Sequence, residues 1–122
     1  MILDRVGLRA VADERVETLP TGHARLVEVG RALASQPRVL LLDEPSSGLD
    51  EEETDSFADL LRSLAADGLA TLLVEHDVEL VMKVCERIHV LDFGRTIAVG
   101  SPAEVQEDEA VQLAYLGTVG AP

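Results

Sequence analysis

Val39-Leu40-Leu41-Leu42 runs without interruption into Asp43-Glu44-Pro45. A short unbroken apolar run of this kind suits a strand buried on both faces, the type found in the middle of a parallel sheet. A second such run, Thr71-Leu72-Leu73-Val74, ends in Glu75-His76-Asp77. Between them a helix is predicted from Glu51 to Asp67, with Phe57, Leu60, Leu61 and Leu64 on one face and Gly68 as its stop. Upstream, Pro20 and Gly22 mark a loop, and Leu26, Val29 and Leu33 recur at helical spacing from His23 to Ser35, where Pro37 closes the segment. Residues 2–18 are mixed, with a short helix ending near Val6 before Gly7. Downstream, a helix from Val78 to Cys85 turns Val78, Val81 and Cys85 inward. Ile88-His89-Val90-Leu91 and Thr96-Ile97-Ala98-Val99 then flank Asp92-Phe93-Gly94-Arg95 as a hairpin. Short helices are expected from Pro102 and from Glu109 to Tyr115. Buried strands alternating with amphipathic helices give an α/β fold with a mostly parallel sheet, flanking helices and a C-terminal β-hairpin.

Composition narrows the function classes. The chain has 122 residues, 47% of them hydrophobic and only 2% aromatic, so its core must be built from aliphatic side chains. A formal net charge of −13 argues against a nucleic-acid partner, because phosphate-backbone binding needs clustered Lys and Arg. Cys85 is the single cysteine, which rules out an internal disulfide and fits a reducing compartment. No apolar run approaches the roughly 20 residues of a membrane span, and the start of the chain does not read as a signal peptide. A cytoplasmic location is expected, with any membrane link made through a partner. Lys83 is the only lysine, and no Gly-Lys-Ser/Thr sequence occurs, so the chain holds no Walker A loop to cradle phosphates.

In open α/β sheets, ligands sit at the carboxyl ends of the strands, which directs attention to the polar clusters after Leu42 and Val74. Asp43 at a strand tip can hold Mg²⁺ through water, and Glu44 beside it can polarise a water for attack on a phosphoryl group. The same Asp-Glu-Pro also suits a plain solvated strand end. His76 could contact a phosphate, or could be an ordinary surface histidine near a helix start. Leu19, Pro20, Thr21, Gly22 and His23 open a helix whose backbone amides would attract an anion, or simply form a capped loop.

Taken together, these clusters resemble a family, the ATP-binding subunits of ABC transporters. Residues 19–23 and the helix after them resemble the ABC signature motif. Val39 to Glu44 resembles Walker B with its catalytic glutamate, and Ser46-Ser47-Gly48-Leu49-Asp50 resembles the D-loop. His76 falls at the place of the switch histidine. The resemblance implies a partial P-loop NTPase domain, the C-terminal part of one ABC ATPase domain over residues 1–122. In that reading residues 1–37 hold the signature loop and helix. Residues 38–122 hold Walker B, the D-loop, the switch His and the C-terminal elements, and the Walker A half is absent. The segment Val74 to Met82 and the ending Ala114-Tyr115-Leu116-Gly117 look most like subunits that import branched-chain amino acids, with lipid or polysaccharide exporters as the nearest competitor. The signature departs from the usual Leu-Ser-Gly-Gly-Gln: Pro20, Thr21 and His23 stand where Ser, Gly and Gln are common, and Pro20 supplies neither a hydroxyl nor an N–H.

The resemblance further implies ATP and Mg²⁺ as cofactors, a second ABC ATPase subunit as homo- or heterodimer partner, and transmembrane permease subunits. The protein would lie on the inner face of the membrane. Asp43 would hold Mg²⁺ through water, Glu44 would be the general base and His76 would contact the γ-phosphate. Leu19, Pro20, Thr21, Gly22 and His23 would face the partner's ATP, and Ser47, Gly48, Leu49 and Asp50 would couple the two sites. The alternative is a non-enzymatic or degenerate module that offers its signature loop to an intact subunit.

Overall fold

A computed structural model describes residues 1–115. The elements are α1 (Ile2–Arg5), two 3₁₀ turns (Arg9–Val11 and Val16–Thr18), α2 (Thr21–Ala34), β1 (Val39–Asp43), α3 (Glu51–Ala66), β2 (Ala70–Val74), α4 (Val78–Val84), β3 (Ile88–Asp92), β4 (Arg95–Gly100), α5 (Pro102–Glu107) and α6 (Glu109–Ala114). β1 and β2 pair in parallel, Leu41 opposite Leu72 and Asp43 opposite Val74. β3 and β4 pair antiparallel as a separate sheet. The α/β class stands, its parallel part being β1–β2 and its hairpin β3–β4. The chain divides into two compact units, Met1–Leu80 and the residues from Val81 on.

In the first unit, α3 supplies the largest share of the core: Phe57, Ala58, Leu60, Leu61 and Leu64 are all buried. Asp50 caps this helix by accepting from the Glu53 N–H at 2.8 Å, while the Glu53 carboxylate accepts from the Asp50 N–H at 3.0 Å. That reciprocal box ties the start of α3 to the chain that enters it. Val6 and Leu8 are buried too, with Gly30 of α2 close against Ile2 and Val6, so the short α1 is held by packing and not by its own four residues. Arg5 donates to the Ser63 hydroxyl at 2.9 Å and pairs with Asp67 at the C-terminal end of α3.

The two strands of this unit are less buried than expected. Leu40 is 4% exposed, but Val39, Leu41, Leu72 and Val74 are 56%, 70%, 60% and 53% exposed. By register and alternation these four share one face of the β1–β2 pair. The reason is that each strand has a single strand neighbour among the described residues, and core packing reaches only the other face. The sequence composition is that of a central strand, while the described environment is that of an edge.

In the second unit, Ile88 and Val90 of β3, Val105 of α5 and Val111 of α6 form a core, with Val81, Met82, Cys85, Ile97 and Ala98 packed on it. The inward orientation expected of Val81 and Cys85 is seen there. Leu80, the last residue of the first unit, is 1% exposed and belongs to that unit's buried set. The hairpin turns through Phe93 and Gly94, both at positive φ (47° and 75°), the two-residue turn whose twist matches the strands. A register shift between Val90 and Leu91 inserts one extra residue on β4. Ser101 and Asp108 cap α5 and α6, and the Tyr115 hydroxyl donates to the Leu91 carbonyl. Of the family-like ending, Leu116 and Gly117 lie outside the described residues.

Candidate functional site

The parallel ladder ends where the polar residues begin. The Glu44 N–H donates to the Val74 carbonyl at 2.7 Å, which brings the segment after β1 alongside the segment after β2. Glu44 then turns away at φ +47°, a region sparsely used by residues with a Cβ. The Ser47 and Leu49 N–H groups bond back to Glu44 and Ser46, at 3.2 and 3.0 Å, and wind the loop into tight turns. As a result His76 Nδ1 stands 3.3 Å from Glu44 Oε1. These side chains are 69% and 53% exposed, so the pair is open to solvent and to any ligand above the strand ends. Asp43 sits at the last position of β1, also exposed. Two residues picked from separate stretches of sequence, Glu44 and His76, are therefore in contact.

Glu75 is a residue whose importance the sequence reading missed. Its side chain is fully buried. One carboxylate oxygen accepts from the Ser46 N–H at 2.9 Å and from the Ser46 hydroxyl at 2.8 Å. The other accepts from the His76 and Asp77 N–H groups, both at 3.2 Å. Asp77 in turn caps α4 by accepting from the Leu80 N–H at 3.1 Å. The available signal was a second acid directly before the histidine, which composition alone cannot separate from a solvated glutamate.

The helix start of α2 and the loop before α3 lie together. α2 begins at Thr21, two residues earlier than predicted, with Pro20 as its cap and no side chain capping it. Thr21 and Gly22 thus belong to its first turn and not to a preceding loop. A Cβ on Gly22 would lie 2.6 Å from Glu53 Oε1, and one on Gly48, itself at φ +83°, would lie 3.0 Å from the Thr21 methyl. At Gly48 the left-handed backbone favours glycine, while a side chain at Gly22 would have to push the Glu53 carboxylate aside. Arg25 of α2 donates to the Ser47 carbonyl at 3.4 Å, a further tie between α2 and this loop. Leu19 and His23 are half-buried, and His23 Nδ1 is buried without a hydrogen-bond partner among the described residues. Ser47, Gly48 and Asp50 are exposed and Leu49 half-buried, so the loop presents polar groups outward.

Asp43 and Glu44 offer hard oxygen ligands of the kind Mg²⁺ takes, and Mg²⁺ is usually held by one or two carboxylates, with water and phosphate completing its shell. No group of three or more metal-ligating side chains gathers among the described residues. No helix there is long and apolar enough to cross a membrane.

Comparison with known proteins gives consistent matches. Residues 1–47 match the family profile described as "ABC transporter". Residues 95–121 match that of the "Branched-chain amino acid ATP-binding cassette transporter". The chain is 38% identical over 116 residues to the lipopolysaccharide export system ATP-binding protein LptB of Acidithiobacillus ferridurans, covering 95% of this chain and 48% of that protein. It is 39% identical over 116 residues to the high-affinity branched-chain amino acid transport ATP-binding protein LivG of Salmonella typhimurium, covering 94% and 46%. The solved structure of the ADP conformation of MJ1267, an ATP-binding cassette of an ABC transporter, superposes with a TM-score of 0.85 at 29% identity, covering 95% and 47%. The chain spans about half the length of the curated relatives it matches.

Proposed function

We propose that this chain, which belongs to the ABC transporter ATP-binding family and spans about half the length of its matched relatives, is the C-terminal half of such a subunit and carries the hydrolytic and partner-facing part of a transport ATPase. The observation that carries this reading is the 3.3 Å approach of Glu44 to His76 at adjacent strand ends. Asp43 would hold Mg²⁺ through water, and the ion, when bound, would supply charge neutralisation to the phosphates. Glu44 accepts the proton of the water that attacks the γ-phosphoryl group. His76 contacts that group from the other strand end and orients the Glu44 carboxylate. Leu19, Pro20, Thr21, Gly22 and His23 face the nucleotide held by a second ATPase subunit, where the first N–H groups of the 14-residue α2 favour negative charge. Ser47, Gly48, Leu49 and Asp50 lie beside that helix start and couple the two sites. In this reading residues 1–122 are part of one ATPase domain, acting on the inner face of a membrane through permease subunits.

Branched-chain amino acid import is the cargo we favour, because residues 95–121 match a profile of that name and LivG is similar over nearly the whole chain. Lipopolysaccharide export is the competing cargo, since LptB is similar over the same span. Co-expression with the N-terminal half of a LivG-type subunit, in cells lacking their own, should restore leucine uptake. Rescue of an LptB defect in its place would reverse the assignment.

A second reading follows from the lack of any Gly-Lys-Ser/Thr sequence in the chain. The module would then lend residues 19–23 to an intact subunit without hydrolysing ATP itself. Glu44→Gln would leave such a complex fully active, whereas bulky substitution of Gly22 would not.

A further inference from the structure

We propose that Glu75 is a positioning residue, a buried carboxylate bracket that holds Glu44 and His76 at reacting distance. The inference rests on the hydrolytic reading above and adds to it a residue that has no part in the steps just given.

The argument begins with what the ladder cannot do. β1–β2 pairing stops at the bond from the Glu44 N–H to the Val74 carbonyl. Beyond it the two segments diverge into loops, and loops position side chains poorly unless something ties them together. Glu75 supplies that tie. One of its oxygens holds both the N–H and the hydroxyl of Ser46, two residues after Glu44. The other holds the N–H groups of His76 and Asp77. A single side chain thus fixes the backbone beside the base and the backbone of the histidine.

The chemistry of the contact selects a carboxylate. Each of the four partners donates, and an ionised carboxyl is an acceptor at both oxygens. A carboxamide of the same shape would turn one oxygen into an NH₂ group and set it against two donors. The His76 ring stands 4.0 Å from Glu75, outside hydrogen-bond range, so the bracket acts through the backbone and the Ser46 hydroxyl. With the side chain fully out of solvent, water cannot easily replace a lost bond.

The test pairs a nucleotide-free readout with a kinetic one. In the chain itself, amide hydrogen exchange at Ser46, His76 and Asp77 is compared between wild type and Glu75→Gln. Loss of bonds to a charged acceptor should speed exchange by about 10-fold or more at the Ser46 amide or at the His76 and Asp77 pair, while α3 amides stay unchanged. Should Glu75→Gln not fold, Ser46→Ala removes one bond and should speed exchange at the His76 and Asp77 amides. Unchanged exchange, or exchange at unfolded-chain rates in the wild type, would overturn the bracket. In the assembly with the N-terminal half of a related subunit, Glu75→Gln should lower kcat about 10-fold with KM for ATP within about 2-fold. A staple that served stability alone would lower Tm and leave kcat intact, and that result would also overturn the proposal. An assembly without ATPase activity, with exchange still accelerated, would sink the hydrolytic reading and leave the bracket standing.

Discussion

Gly22 and Glu53 show how tightly single residues are constrained around the α2 helix start. A methyl on Gly22 would displace a carboxylate that is already committed to the Asp50 N–H. Gly22→Ala should therefore couple to Glu53→Ala by about 1 kcal/mol, the worth of a cap, in a double-mutant cycle read by chemical denaturation. Additive effects would mean that the two residues do not meet. Cys85 offers a second residue-scale check. Half-burial against the second core raises its thiol pKa, so less thiolate is present at neutral pH. Its alkylation should be slower than that of a free thiol and should recover on unfolding. Asp43, Glu44 and His76 stand out in the sequence as chemistry-bearing side chains in the polar clusters that end the two apolar runs. Glu75, in the same position at the second run, reads as a solvated acid. Two of its four bonds come from Ser46, 29 residues away, and no local pattern encodes such a meeting.

At the scale of elements, helix ends and apolar faces were readable where the signal is local. Phe57, Leu60, Leu61 and Leu64 fall on the buried face of α3 as their spacing requires, and the Phe93-Gly94 turn closes the hairpin where expected. The early start of α2 was not readable, because Pro20 and Gly22 look like loop residues until Pro20 is seen to cap the helix. The apolar runs of β1 and β2 mark strands that can be covered on both faces, but which face is covered depends on neighbours that a strand's own residues do not specify. α5 gives a pH test. Hydrogen bonds from the Ser101 backbone and side chain hold the Glu104 carboxyl below its ordinary range. A depressed folded pKa stabilises the helix above the unfolded value and is lost as pH falls through the folded one. Helicity around residues 101–107, followed by NMR, should thus fall in acid, and Glu104→Gln should flatten that dependence. Equal profiles for the two proteins would remove the box from the account.

For the whole molecule, two features oppose each other. A net charge of −13 keeps copies apart, while the face bearing Val39, Leu41, Leu72 and Val74 draws apolar surface together. Added salt should screen the first and not the second, so the purified chain should associate as ionic strength rises, by light scattering. Leu41→Lys with Leu72→Lys should abolish that response, and a monomer indifferent to salt in both forms would show the face to be inert. The same charge bears on ATP, because Asp43 and Glu44 repel a triphosphate and the chain's only lysine is Lys83. Isolated, the chain should neither bind Mg-ATP tightly nor hydrolyse it. A helix N-terminus worth about 0.3–1 kcal/mol at an exposed site cannot replace a phosphate cradle. The most direct test of the account is Mg²⁺-dependent ATPase activity of the chain co-expressed with the N-terminal half of a related subunit, with and without Glu44→Gln. The expected result is activity in the wild-type pair that falls about 10²-fold or more in the variant, with ATP still bound. Equal turnover by the two, or hydrolysis by the single chain, would contradict it.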